Sequence, residues 1–179
     1  MYNLLVGGAA GQGVESAVSA LEYFFKQAGS QVFTMRDLMS RIRGGHNFSR
    51  IRFGAQVPKG HSERLDGIIA LNEETVALHR ESLSSEGFIL MDSAIKGEDP
   101  RIIRLDMAQI AKTLGNARAA GSVAVGAALK LFGVTLDEER VKAVLGRVLR
   151  PEHVDINVKA ALAGYEAVPK RFELAEGEA

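Results

Sequence analysis

No cysteine occurs among the 179 residues, so disulfides, thiolate zinc sites and cysteine-ligated iron–sulfur clusters are excluded within this chain. No uninterrupted apolar run nears the roughly 20 residues that span a bilayer. The N-terminus lacks the basic segment and cleavage site of a signal peptide, so a cytoplasmic protein without a membrane partner is expected. Neither sign of charge is in excess, with 22 basic and 22 acidic residues. That balance gives no global attraction to nucleic acid, and no nucleic-acid partner is expected. Catalytic spacing is also missing. No H-x-x-H, Ser–His–Asp or paired-carboxylate arrangement stands out, and His61, His79 and His153 are isolated in the sequence. No catalytic residue and no metal ligand are therefore assigned.

What the chain does have is a glycine cluster near its start. Leu4-Leu5-Val6 runs into Gly7, Gly8, Gly11 and Gly13, and Val14, Ala17, Val18, Leu21, Phe24 and Phe25 then fall at helical spacing. Gly29 stops that helix, and Gln31–Met35 reads as a strand. Strand, turn, helix and strand within about 35 residues make a βαβ unit with parallel strands. Further strands are predicted at 48–53, 67–71, 87–92 and 102–105. Asn72 is a cap for the helix after the second of these. Helices are predicted from Met107 to Leu114, broken by Gly115-Asn116-Ala117-Arg118, and from Ser122 to Phe132, where the composition implies burial on several sides. Thr135 with Glu138 reads as a capping box for a helix through Leu149, which Pro151 ends. A last helix is expected from about Asp155 to Tyr165. The fold class that follows is α/β: a single Rossmann-like three-layer domain with a mostly parallel sheet and helices on both faces. The domain is expected to span residues 1–168, and residues 169–179 an acidic tail that frays.

The glycine turn does not fit a dinucleotide fingerprint. From Gly8 the register reads Gly8, Ala10, Gly13; from Gly11 it reads Gly11, Gly13, Ser16. Neither supplies glycines at i, i+2 and i+5, and the Walker lysine is missing. Two readings stay open: a tight turn needed only for packing, or a helix N-terminus that takes an anionic or phosphate-bearing group.

A second feature is basic. Between Arg36 and Arg64 lie seven basic residues and two acidic ones. At the centre is Arg43-Gly44-Gly45-His46-Asn47, either a solvated loop or a site for a phosphate, a carboxylate or an acidic protein partner. Asn116 and Arg118, at the helix break, either line a pocket or cap.

Together, Gly11-Gln12-Gly13-Val14 after an apolar strand and Ser40-x-Ile42-Arg43-Gly44-Gly45 some thirty residues later resemble one family. It is the gamma subunit or gamma domain of 2-oxoacid:ferredoxin oxidoreductases, which act on pyruvate, 2-oxoglutarate, 2-oxoisovalerate or indolepyruvate. The similarity extends in element order to about residue 165. Family members more often read G-x-G-G-Q-G, so Ala9-Ala10 departs from the pattern. The His46-Asn47 continuation looks most like relatives in which this domain is fused ahead of the alpha region.

The resemblance implies membership of an enzyme that converts a 2-oxoacid and coenzyme A to acyl-CoA and CO2, with electrons passing to ferredoxin. It also implies alpha and beta partners, and a delta or ferredoxin-like one in some relatives. Thiamine diphosphate, iron–sulfur clusters and coenzyme A would be the cofactors of the complex. This chain has no G-D-G…N thiamine signature, so it is expected to bind none of them alone. By the same resemblance Gly8, Gly11, Gln12, Gly13, Arg43, Gly44, Gly45, His46 and Asn47 would face the cleft beside thiamine and coenzyme A. The competing readings are a stand-alone nucleotide- or dinucleotide-binding protein and a pure assembly module.

Overall fold

The computed structural model describes residues 1–37 and 45–175; residues 38–44 and 176–179 lie outside that description. Six strands form one sheet: Tyr2–Ala9 (β1), Gln31–Asp37 (β2), His46–Gly54 (β3), Leu65–Ala70 (β4), Leu83–Asp92 (β5) and Ile102–Leu105 (β6). Their order is β2-β3-β1-β4-β5-β6. The helices are Val14–Gln27 (α1), Glu73–His79 (α2), Met107–Thr113 (α3), Ala120–Leu131 (α4), Glu138–Val148 (α5) and Pro151–Glu166 (α6).

The expected α/β architecture and mostly parallel sheet are present, with one refinement. β1 and β2 run in the same direction, as their connection through α1 requires, but they are not neighbours. β3 lies between them, antiparallel to both. Its alternation explains how it fits there. Ile51 and Phe53 point into the large core under α1, while Phe48 points to the opposite face. β1, β4, β5 and β6 then pair in parallel.

Helices cover the two faces unequally. One face carries α1, α3 and α4, with α5 and α6 packed behind them. Its core holds an aromatic cluster in which Phe25 stacks on Phe53 at 3.6 Å between centroids and Phe132 meets both edge-on. The other face carries α2 over Leu5, Phe48, Ile68 and Ile89. The β5–β6 connection has no helix. Two arginines hold it instead: Arg101 donates to Leu83 O and to Asp99, and Arg104 donates to Ile95 O and Gly97 O.

Three local expectations change. The cap of α5 is Asp137, whose side chain accepts from Arg140 N at 2.7 Å, not Thr135. Thr135 offers its carbonyl to the Arg140 guanidinium. Pro151 does not merely end α5 but opens α6, where its missing N–H costs nothing. Residues 169–175 run back along the core: Phe172 N donates to Leu131 O, Leu174 is 6% exposed, and Tyr2 OH donates to Glu173 O.

α4 and α6 pack with backbones almost touching. A Cβ on Gly126 would run into the Ala161 carbonyl, and one on Gly164 into the Val123 carbonyl. The small-residue composition of 120–131 is thus a close-packing device. Gly126→Ala should destabilise the chain by about 2–3 kcal/mol in urea unfolding, because backbone, not a flexible side chain, must give way. The same change at Gly121, where a Cβ meets nothing, should cost less than about 0.5 kcal/mol.

Candidate functional site

The site lies at the carboxyl ends of β1, β4 and β5. α1 leaves β1 for one face of the sheet and α2 leaves β4 for the other. The two connections diverge, and a crevice opens between them where ligands bind in open α/β sheets.

The four glycines divide into two kinds. Gly7 and Gly8 serve packing. A Cβ on Gly7 would strike Thr75 at the start of α2, and one on Gly8 would press on Gln12 Oε1 and Leu71 Cβ, each at 2.9 Å. Gly11 and Gly13 serve conformation. Their φ angles are +92° and +85°, and a Cβ on either would meet nothing within 4 Å. Gln12 N donates to Ala9 O at 3.0 Å, closing a tight turn that needs positive φ at Gly11. The Gln12 side chain reinforces it, Oε1 accepting from Ala9 N at 2.7 Å.

Gly13 then starts α1 with no side-chain cap. The first-turn N–H groups face the crevice side with the positive end of the helix dipole behind them. Glu15, which would oppose an anion there, is drawn aside by Arg36 at 3.2 Å.

Two hollows adjoin this turn. The wider, about 650 Å3, is lined by Gly11–Gly13, Leu71, Asp92, Ala108 and Arg118, among others. The narrower, about 160 Å3, runs between α1, α4, α5 and α6. Arg118 lines both. Asn116 and Arg118 therefore fill both roles that the sequence left open. The Asn116 side chain accepts from Arg118 N, capping the short turn before α4, while the Arg118 side chain borders the hollows. Asp92 brings a carboxylate to the crevice, but its two oxygens accept from Ala94 N and Ala108 N. It anchors α3 and is poorly placed to act as a base.

The second motif is only partly described. Arg43 and Gly44 lie outside the described residues. Gly45 O accepts from Ala10 N at 2.8 Å, tying the end of that loop to the glycine turn. His46 and Asn47 belong to β3 and, as adjacent strand residues, point to opposite faces. Asn47 lines a third hollow with Ala9–Gly11 and Gly13–Ser16. His46 turns to the α2 face, where its Nε2 lies 3.1 Å from His79 Nε2. Nothing in the sequence pattern signals this pair, because 33 residues separate the two and α2 brings them together. Several cations of the basic stretch are already engaged. Arg36 pairs with Glu15 and Glu22, Arg52 donates to Gly60 O and His61 O, and Arg50 lies over Phe48.

A model of the pyruvate ferredoxin/flavodoxin oxidoreductase family matches residues 3–167. Indolepyruvate oxidoreductase subunit IorB of Thermococcus kodakarensis is 23% identical over 97% of this chain and 98% of its own length. The gamma subunit of a keto/oxoacid ferredoxin oxidoreductase from Geobacter sulfurreducens superposes with a TM-score of 0.77 at 24% identity, over 92% of this chain and 94% of its own. A 2-oxoglutarate:ferredoxin oxidoreductase chain from Magnetococcus marinus, solved with 2-oxoglutarate, coenzyme A and succinyl-CoA, superposes with a TM-score of 0.81 at 20% identity. There the match covers 99% of this chain and 33% of the longer one.

The histidine pair generates a pH prediction. His79 is 7% exposed, and burial, then the neighbouring His46 and Arg50, lower its pKa to about 4 from the ordinary 6.5. Below pH 6.5 the unfolded chain takes up a proton there that the folded chain refuses. Stability should therefore fall as pH drops from 6.5 toward 4, by about 2–3 kcal/mol, and level off below. Urea unfolding across that range should show the slope, and His79→Gln should flatten it.

Proposed function

The chain belongs to the pyruvate ferredoxin/flavodoxin oxidoreductase family, and we propose that it is the gamma-type component of a multi-subunit 2-oxoacid:ferredoxin oxidoreductase. The observation that carries the reading is the uncapped start of α1 behind the Gly11-Gln12-Gly13 turn, set in a crevice at the strand ends. That arrangement offers N–H donors and positive potential, which suits phosphate-bearing groups and not proton transfer.

The division of labour follows from the donor set. With no cysteine, the chain holds no ligand for an iron–sulfur cluster, and clusters belong to partner chains. Thiamine diphosphate, which supplies the carbanion chemistry of decarboxylation, is likewise assigned to the alpha and beta partners. This chain's residues wall the cleft. The first-turn amides of α1 would hold coenzyme A phosphate oxygens, and Gly8 would keep Leu71 and Gln12 close. Arg43, Gly44, Gly45 and Asn47 would contribute to binding in the same cleft. His46, turned to α2, would hold the base of that loop. Pyruvate is one of the substrates open to such a complex. Ferredoxin would receive the electrons through the partners, in the cytoplasm; among the described residues no helix is long and apolar enough to cross a membrane.

Co-expression with candidate alpha and beta chains should yield a complex that loses coenzyme A-dependent turnover when this chain is omitted. Arg43→Ala in that complex should raise the KM for coenzyme A about tenfold, the value of one charge-assisted phosphate contact, while unfolding of this chain shifts by less than about 0.5 kcal/mol. Full turnover without the chain would refute the reading. Tight NAD binding by the chain alone would favour the stand-alone dinucleotide protein instead.

A further inference from the structure

The narrow hollow beside Arg118 shares Gln12, Gly13 and Ser16 with the glycine turn, but its deeper lining plays no part in the phosphate reading above. Its floor is apolar, with Ala17, Val125, Leu145 and Val148, and its mouth is polar. Its far side is fixed: Ser122 Oγ donates to Asn157 Oδ1 at 2.7 Å, and Asn157 Nδ2 donates to His153 O at 2.8 Å. Asn157 is 7% exposed, so this polar strut is buried and holds α4 against α6 at a set distance.

Size decides what such a space can take. At about 160 Å3 it is close to the roughly 150 Å3 of an apolar protein cavity that binds benzene. An adenine with its sugar and phosphates is far larger, whereas a single aromatic ring or a branched alkyl group fills the hollow. The Arg118 guanidinium has no hydrogen-bond or ion-pair partner among the described residues, and it stands where the narrow hollow meets the wide one. An arginine so placed favours a carboxylate, through two parallel N–H···O bonds.

We propose that the hollow between α1, α4, α5 and α6 is a binding site for a small aryl or branched-alkyl carboxylate, its apolar group inserted toward Val125 and its carboxylate on Arg118. The site adjoins the first turn of α1 through Gly13 and Ser16 but does not draw on its amides, and it stands whether or not the chain assembles as proposed above.

Gly121 supplies a clean probe. It borders both hollows on α4, and a Cβ there meets nothing within 4 Å, so a substitution there takes up ligand space without a backbone clash at the Cβ. The full 179-residue chain would be titrated with phenylacetate, acetate and benzyl alcohol by heteronuclear NMR. Phenylacetate should bind at least about tenfold more tightly than either of the others, since ring burial and the carboxylate contact each supply about a factor of ten. Gly121→Leu should abolish the preference for phenylacetate over acetate, and Arg118→Ala its preference over benzyl alcohol. Thermal melting of both variants should stay within a few degrees of the parent, showing that each is folded. Equal binding of phenylacetate and acetate, undiminished binding in folded Gly121→Leu, or no perturbation of Val125 and Ala17 at saturating phenylacetate would overturn the proposal.

Discussion

How closely α2 can approach the last residues of β1 sets the working end of this protein. Thr75 sits where a side chain on Gly7 would be, and Leu71 N donates to Gly7 O at 2.9 Å. That contact brings the end of β4 level with the end of β1. The turn that follows β1 must therefore project past the sheet edge, not over it. Gln12 closes the turn, Gly11 and Gly13 give it the two left-handed residues it needs, and α1 starts with its N–H groups uncovered. A larger residue at position 7 would lift α2, open the β1–β4 crevice and detach the turn from its frame.

Close backbone approach recurs on the other side of the molecule. Gly126 and Gly164 let α4 and α6 meet backbone to backbone, and that pair forms the rigid back wall of the narrow hollow. The front wall is α1, whose position is fixed by the stacked Phe25 and Phe53. The narrow hollow thus sits between closely packed elements. Arg118, on the short turn ahead of α4, is the exposed cation held between the two hollows. The same arrangement explains why Asp92 is a poor candidate for acid–base chemistry. Its carboxylate is committed to two backbone amides and positions α3.

Much of this was legible in the residues, and the gaps have physical causes. The strand–glycine–helix start, the buried small-residue helix and the short 102–105 strand follow from local period and composition, so the sequence shows them. The insertion of β3 between β1 and β2 does not, because pairing partners are a property of the whole sheet and not of any window. The same limit hid the His46–His79 contact and the separation of Gly7 and Gly8, which are hemmed in by Thr75, Leu71 and Gln12, from Gly11 and Gly13, which have open space and positive φ. Thr135 misled because its capping pattern was sound but Asp137, two residues on, is the better acceptor. Nor does the charge count of the basic stretch show which of its cations have partners: Arg36 is paired with two carboxylates, Arg52 bonds to carbonyls and Arg50 lies over Phe48.

The account rests on the amides at the start of α1 being the chain's contribution to a coenzyme A cleft shared with partner chains. Hydrogen–deuterium exchange of the assembled complex, with and without coenzyme A, reads those amides directly. Slower exchange at Val14, Glu15 and Ser16 on adding coenzyme A is the predicted result. Unchanged exchange there, with protection confined to the partner chains, would contradict it.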